Sequence, residues 1–426
     1  MRYSRSSLNS KIRILFLNPP HPLKDALVSQ RQIPISLLSA IKGVAKLSKV
    51  EIMILDLTCK NDMKKIDSVL SNFSPILCGI TTMTYNYIST VKLINYLKSK
   101  HPRLKIIVGG IHANIAKEEI FDTSLADYIC IGEGEDVLKE FVLNDLQADG
   151  LDGIMSRDEK GNVNFRRTEN IDDIPPYELI DINNYRDTFF PLLTQRGCVF
   201  KCAFCSMGRN LVRFRTEKSV LEELNYLYRN GIRNIFISDD TFNLNLRRAK
   251  SLLEKIIKEY GNYFNLMVNL RGNSIDSELA KLLKSAGCKR AFIGVESGSN
   301  KILEIIEKGE KTEEMAAGIK ELIKRGIETS CSFIIGLPGE TSKTVLETIK
   351  YAIKLNPDIA VFNVFIPFPG TPIYEDEKKY GIRIHDKKWY LKGVPEKPIV
   401  STADLNPKEI QHHVAMCYKK FYNRQK

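Results

Sequence analysis

The stretch LLTQRGCVFKCAFCSMGR, which starts at Leu192, carries Cys198, Cys202 and Cys205 in the spacing C-x3-C-x2-C. On a loop this spacing lets three sulfurs converge, where a helix or a strand would splay them. A structural zinc ion takes four ligands and usually draws two of them from a second pair. The next cysteine here is Cys288, alone in SAGCKRAF, and no histidine lies between His112 and His385. A closed zinc site stays open as an alternative, without an obvious fourth ligand. An iron–sulfur cluster is bound by thiolates, normally four. Three thiolates would leave one iron for a substrate or cofactor to ligate.

The elements around the cysteines repeat a strand-then-helix order. Strand candidates are FFPLLTQ, NIFIS, YFNLMVNL, RAFIGV, SCSFIIG and IAVFNVFIPF, with amphipathic patterns such as SVLEELNYLYRNG between them. These units, spanning 185–377, are too few for a full eight-unit barrel and predict a partial (β/α)6 TIM-type barrel open on one side. Barrel chemistry sits on the loops after the strands, and the cysteines follow the first one. Upstream, over 1–143, the runs KIRILFLN, VEIMILDL, ILCGITT, LKIIVGG and YICIGEG alternate with helical patterns. They predict an α/β, doubly wound, flavodoxin/Rossmann-like domain whose ligand lies beyond the carboxyl ends of its strands. Between the two, 144–184 reads as a β-hairpin around Gly161-Asn162 and an extended linker containing DDIPP. The segment 378–426, with DKKWYLKG and the helical PKEIQHHVAMCYKKFY, is expected to cover the open side of the barrel, with Trp389 and Tyr390 either helping to close the site or only packing against the barrel.

The 426 residues are 43% hydrophobic, enough for full-sized cores, and the nine cysteines form an odd set with one tight cluster. That favours a reducing compartment and metal or redox chemistry over a disulfide framework. The chain shows no run of eighteen apolar residues, and MRYSRSSLNSKIRILFLNPP has no apolar core before a cleavage site. A cytoplasmic protein without a membrane span is expected. The net charge of +12 comes from charges of both signs interleaved along the chain, which reads as a solvated surface, and no nucleic-acid partner is expected.

CVFKCAFC, with the aromatic Phe204 before the last cysteine, resembles the hallmark of the radical S-adenosylmethionine enzymes. The resemblance implies a 4Fe-4S cluster on Cys198, Cys202 and Cys205, its open iron chelated by the amino and carboxylate groups of S-adenosylmethionine. One electron from the reduced cluster then releases a 5′-deoxyadenosyl radical; a flavodoxin- or ferredoxin-type partner would supply it. Further strand ends match the family. Asp239 and Asp240, in ISDDTF, stand where the methionine amino group is accepted, although Asp240 could equally cap a helix. Arg271 could pair with the methionine carboxylate or be a surface arginine. Glu296, in GVESGS, falls at the ribose position, and Ile334, Gly336 and Gly339, in SFIIGLPGET, match the adenine-contacting turn.

The first domain resembles the cobalamin-binding domain of the subfamily that joins cobalamin to a radical barrel. The residues implied for the corrin are Asn18 and Pro19, Thr82, Gly109, Gly110 and His112, and Glu133, Gly134 and Glu135. The chain lacks Asp-x-His-x-x-Gly, so His112 is read as structural or at the cofactor's edge and not as a cobalt ligand. The function implied is methylation of an unactivated carbon or phosphorus of a small molecule. Radical rearrangement or oxidative cyclisation with cobalamin as redox partner is the alternative. An RNA methylthiotransferase-like enzyme is a further rival; it would need a second cysteine triad, for which Cys59, Cys78 and Cys130 are the only candidates upstream. No auxiliary cluster is expected after the barrel, where only Cys417 lies.

Overall fold

The structure is a computed structural model that describes residues 11–20, 35–58, 65–158 and 163–424. It divides into two compact units, one of 1–188 with 388–394, the other of 189–387 with 395–426.

In the first unit β1 (Ile12–Asn18), β2 (Val50–Asp56), β3 (Leu77–Thr81), β4 (Lys105–Gly109) and β5 (Tyr128–Cys130) are parallel, and β6 (Ile154–Ser156) joins antiparallel. Their order is β2-β1-β3-β4-β5-β6, so the winding reverses between β1 and β3, the crevice where doubly wound sheets take ligands. β3 is buried along its whole length, as expected of a strand covered on both faces.

The expected hairpin is corrected in its pairing: β6 pairs with β5, and the returning chain makes a parallel bridge from Arg166 to Gly132. Its turn at Gly161-Asn162 lies outside the described residues. The expected linker is also built into the first unit. Tyr177 and Tyr185 are buried, and the Tyr185 hydroxyl donates to Asp56 at 2.9 Å.

The second unit holds β7 (Phe190–Leu192), a two-residue antiparallel pair of β8 (Gln195–Arg196) and β9 (Arg213–Phe214), and then β10 (Asn234–Ile237), β11 (Asn265–Leu270), β12 (Cys288–Glu296), β13 (Glu328–Ile335) and β14 (Ile359–Val364). The main sheet is parallel in the order β14-β13-β12-β11-β10-β7, so its first and last strands do not pair and the barrel is an open arc. Helices pack outside it by ordinary rules. Leu246–Tyr260 begins where Asn245 accepts from the Arg248 amide at 3.1 Å, and buries Ala249, Leu252, Leu253 and Ile256 at three- and four-residue spacing. Helix Pro407–Tyr422 covers the open side at β14. The Tyr418 hydroxyl accepts from the Phe362 amide at 3.2 Å, and the Tyr422 hydroxyl donates to the Ala360 carbonyl at 3.0 Å. Groups a bare edge strand would expose are thereby paired.

Trp389 and Tyr390 depart from expectation, since residues 388–394 belong to the first unit. Both rings are buried; Tyr390 meets His112 at 5.3 Å and Tyr87 at 6.3 Å, and Lys388 pairs with Glu119 at 3.1 Å. No helix among the described residues is long and apolar enough to cross a membrane.

Candidate active site

The cysteines lie on a loop closed by the β8–β9 pair. Gly197, at φ +90°, precedes Cys198, and a Cβ there would stand 2.4 Å from the Leu211 carbonyl oxygen, so the neck requires glycine. Within the loop the Asn210 amide donates to Cys198 at 3.0 Å, Arg209 to Phe200 at 2.9 Å, and Cys205 to Cys202 at 3.2 Å. A Cβ on Gly208 would meet the Phe200 oxygen at 2.6 Å. Cys198 and Cys202 are buried and Cys205 is half-buried, as is Phe204. Burial raises the Cys205 thiol pKa, and the Met207 and Gly208 amides partly offset this, so its sulfur already faces donors that would favour a thiolate.

Among the described residues no three His, Cys, Asp or Glu side chains converge tightly enough for a single metal ion. A cluster makes a different demand, because each thiolate takes its own iron. Three cysteines on one pinned loop are a donor set that fits such a cluster.

The adjacent aspartates divide their work. Asp239 is fully buried and accepts from the Thr194 amide and hydroxyl, both at 2.6 Å, and from the Gln195 amide at 3.2 Å. Burial lifts its pKa to about 6 against those hydrogen bonds and Arg248. Its expected role as an amino-group acceptor is therefore corrected: its oxygens hold the chain just before Cys198. Asp240 is exposed and makes no side-chain hydrogen bond among the described residues, while its charge reaches Cys205. The protein around it still lifts its pKa.

Arg271 is also corrected. It is not a surface arginine: it is buried, donates to the Lys308 carbonyl, lies 3.5 Å from Glu310, and stacks its guanidinium 3.5 Å from the centre of the Phe200 ring. Glu296 ends β12 after a register shift, in the left-handed region at φ +66°, an uncommon and costly conformation for a glutamate. Lys308 donates to it at 3.2 Å and stands 3.4 Å from Glu310. Burial works against the Lys308 ammonium, but Glu296 and Glu310 outweigh it and raise its pKa. The buried set of Glu296, Lys308, Glu310 and Arg271 is thus balanced in charge. Lys308 and Glu310 escaped the sequence reading because IEKGEKTEEM looks like a solvated charge run.

On β13 Ile334 is half-buried. Gly336 and Gly339 have φ of +95° and +74°, and the Gly336 amide donates to the buried Glu340 at 2.5 Å. The other Glu340 oxygen has no hydrogen-bond partner, and burial raises its pKa to about 8.

In the first unit the Asn18 amide donates to Asp56 at 2.9 Å, and Pro19 beside it is buried. Thr82 is fully buried with a partnerless hydroxyl. Gly109 ends β4, and a Cβ on Gly110 would fall 2.5 Å from the Thr82 carbonyl oxygen. His112 sits between Tyr87 and Tyr390 with Nε2 unpartnered; burial lowers its pKa to about 4, so it is neutral. Glu133 accepts from the Thr168 amide at 3.0 Å, Gly134 packs against Ala40, and Glu135 is buried at a helix start. Cys78 and Cys130 are buried in strands separated by β4, and burial raises both thiols; Cys59 lies outside the described residues.

The family model for the radical SAM superfamily matches residues 192–352, and that for the B12 binding domain matches 28–142. An uncharacterised methyltransferase of Pyrococcus horikoshii is 31% identical, over 85% of this chain and 82% of the relative. The anaerobic magnesium-protoporphyrin IX monomethyl ester cyclase of Cereibacter sphaeroides is 25% identical, over 96% of this chain and 70% of the cyclase. Among solved structures, the radical S-adenosylmethionine methyltransferase TsrM of Kitasatospora setae, with cobalamin and a [4Fe-4S] cluster bound, superimposes with a TM-score of 0.74 at 22% identity, covering 95% of this chain and 81% of that one. The cobalamin-dependent S-adenosylmethionine radical enzyme OxsB gives 0.68 at 20% identity, over 96% of this chain and 61% of that one.

Proposed function

Because this chain belongs to the radical S-adenosylmethionine superfamily, in the group with a B12-binding domain ahead of the radical domain, we propose that it methylates an unactivated carbon or phosphorus of a small molecule. The observation that carries the reading is the pinned loop of three cysteines at the carboxyl end of the first strand of an open barrel. Cys198, Cys202 and Cys205 would hold the cluster. The cluster, S-adenosylmethionine and cobalamin supply the electron, the radical and the methyl group when bound.

The chain's own task is to orient and shield them. Asp240 offers a free carboxylate to the methionine ammonium. Glu296, steadied by Lys308 on one oxygen, offers the other to the ribose, and the Ile334–Gly339 turn offers backbone to the adenine. In the first unit the partnerless Thr82 hydroxyl offers a hydrogen bond to a corrin, and Gly110 lets the chain after β4 close on the Thr82 backbone that carries it. The electron donor is a flavodoxin- or ferredoxin-type protein, and the chemistry suits the cytoplasm.

Anaerobic purification, cluster reconstitution and addition of cobalamin test the reading, with iron and cobalt measured and products followed after S-adenosylmethionine and reductant. About four irons per chain, bound corrin, 5′-deoxyadenosine and S-adenosylhomocysteine are expected. Iron without corrin would end the methyl-transfer reading. Cys202→Ala should abolish 5′-deoxyadenosine formation; its survival would remove the cluster assignment. Likeness to the cyclase over nearly the whole chain favours oxidative cyclisation as a second reading, which would yield 5′-deoxyadenosine without S-adenosylhomocysteine.

A further inference from the structure

The cysteine loop is held from outside as well as within, and most of its outer anchors meet one five-residue segment, Ile306 to Glu310. The Ala203 amide donates to the Ile306 carbonyl at 2.8 Å, and Arg209 pairs with Glu307 at 3.4 Å. The Lys308 carbonyl and Glu310 carboxylate fix Arg271 from one side, and the face of Phe200, between the first two cysteines, meets it at 3.5 Å from the other. The Arg271 backbone is locked too: its amide donates to Asn243, and its carbonyl accepts from the same side chain, both at 2.9 Å.

We infer that Arg271 is a positioning residue for the cluster loop, acting through the ring of Phe200. The inference rests on the cluster assignment above and adds a positioning role for a residue outside the cysteine loop. A guanidinium on a desolvated ring face is a strong contact of its kind, and a planar, fixed cation sets the ring's tilt in a way a lysine does not. Because the same segment supplies Lys308 to Glu296, one frame serves both the cluster loop and the ribose position.

Phe200→Leu tests this with the charged network intact, and Phe200→Tyr restores the ring face. The reconstituted holoenzymes are compared by iron release to a chelator and by the electron paramagnetic resonance spectrum of the reduced cluster. Phe200→Leu should take up iron as the wild type does, lose it about tenfold faster, and show a broadened spectrum. Phe200→Tyr should match the wild type, and Arg271→Lys should fall between, which gives a second reading if Phe200→Leu folds poorly. Unchanged release and spectrum in Phe200→Leu and Arg271→Lys would overturn the inference while leaving the cluster assignment intact. A wild-type chain that takes up no iron would overturn both.

Discussion

Asp239 and Asp240 are the same residue type one peptide bond apart, and burial gives them opposite work. Asp239 is spent on Thr194 and Gln195, whereas Asp240 keeps its carboxylate free. Asp240→Asn should weaken S-adenosylmethionine binding by about ten- to a hundredfold at unchanged iron content, since it removes a charge-assisted acceptor. Asp239→Asn should instead lower iron uptake, because it loosens the chain before Cys198. Equilibrium binding and iron analysis separate the two. Glu340 gives a pH prediction. Burial raises its folded pKa to about 8 from an ordinary value near 4.5, so the unfolded chain ionises first. Its contribution to stability is full below about pH 4.5, falls as pH rises to about 8, and is flat beyond. Glu340→Gln should therefore gain on the wild type across that window, by a few kcal/mol on the order of magnitude, in thermal unfolding at several pH values.

At the scale of elements, the cysteine loop depends on its neck. Gly197→Ala would force a side chain at φ +90° against the Leu211 carbonyl. A cost of about 2–4 kcal/mol is expected, falling on the β8–β9 pair. Hydrogen exchange of the Arg215 amide, which donates to the Thr194 carbonyl at 3.0 Å beside this pair, and iron uptake should both register it; native values in both would show that the neck yields. The sequence could announce the cysteines but not this neck, because an isolated glycine before a cysteine has many readings until the opposing carbonyl is known. Glu296 is similar: its position after a strand was legible, and its left-handed backbone was not. The strand-then-helix order of each unit was legible from the alternation of apolar runs and amphipathic stretches, and the order of strands within each sheet was not. The antiparallel edge at β6 was not, since GIMSRDEKGNVNFRR satisfies a local hairpin equally well.

At the scale of the molecule, the chain returns to its first unit after the barrel. Tyr390 packs on His112 and Tyr87 although about three hundred residues separate it from them. Tyr390→Ala should cost about 3–5 kcal/mol through the cavity it leaves. The loss should appear as faster hydrogen exchange around His112 in the first unit, and unchanged protection there would contradict the packing.

What the sequence determined alone was the chemistry's address. Thiolate spacing, strand periodicity and the residues at strand ends are local properties, and local properties can be read along a chain. Which carboxylate stays free, which arginine turns inward and which segment crosses to the other unit depend on burial and pairing between distant residues. Asp239, Arg271 and Tyr390 took their roles from partners 45, 37 and 278 positions away, at Thr194, Lys308 and His112. Only the tertiary structure brings such partners together, because desolvation and opposing charge are set in space.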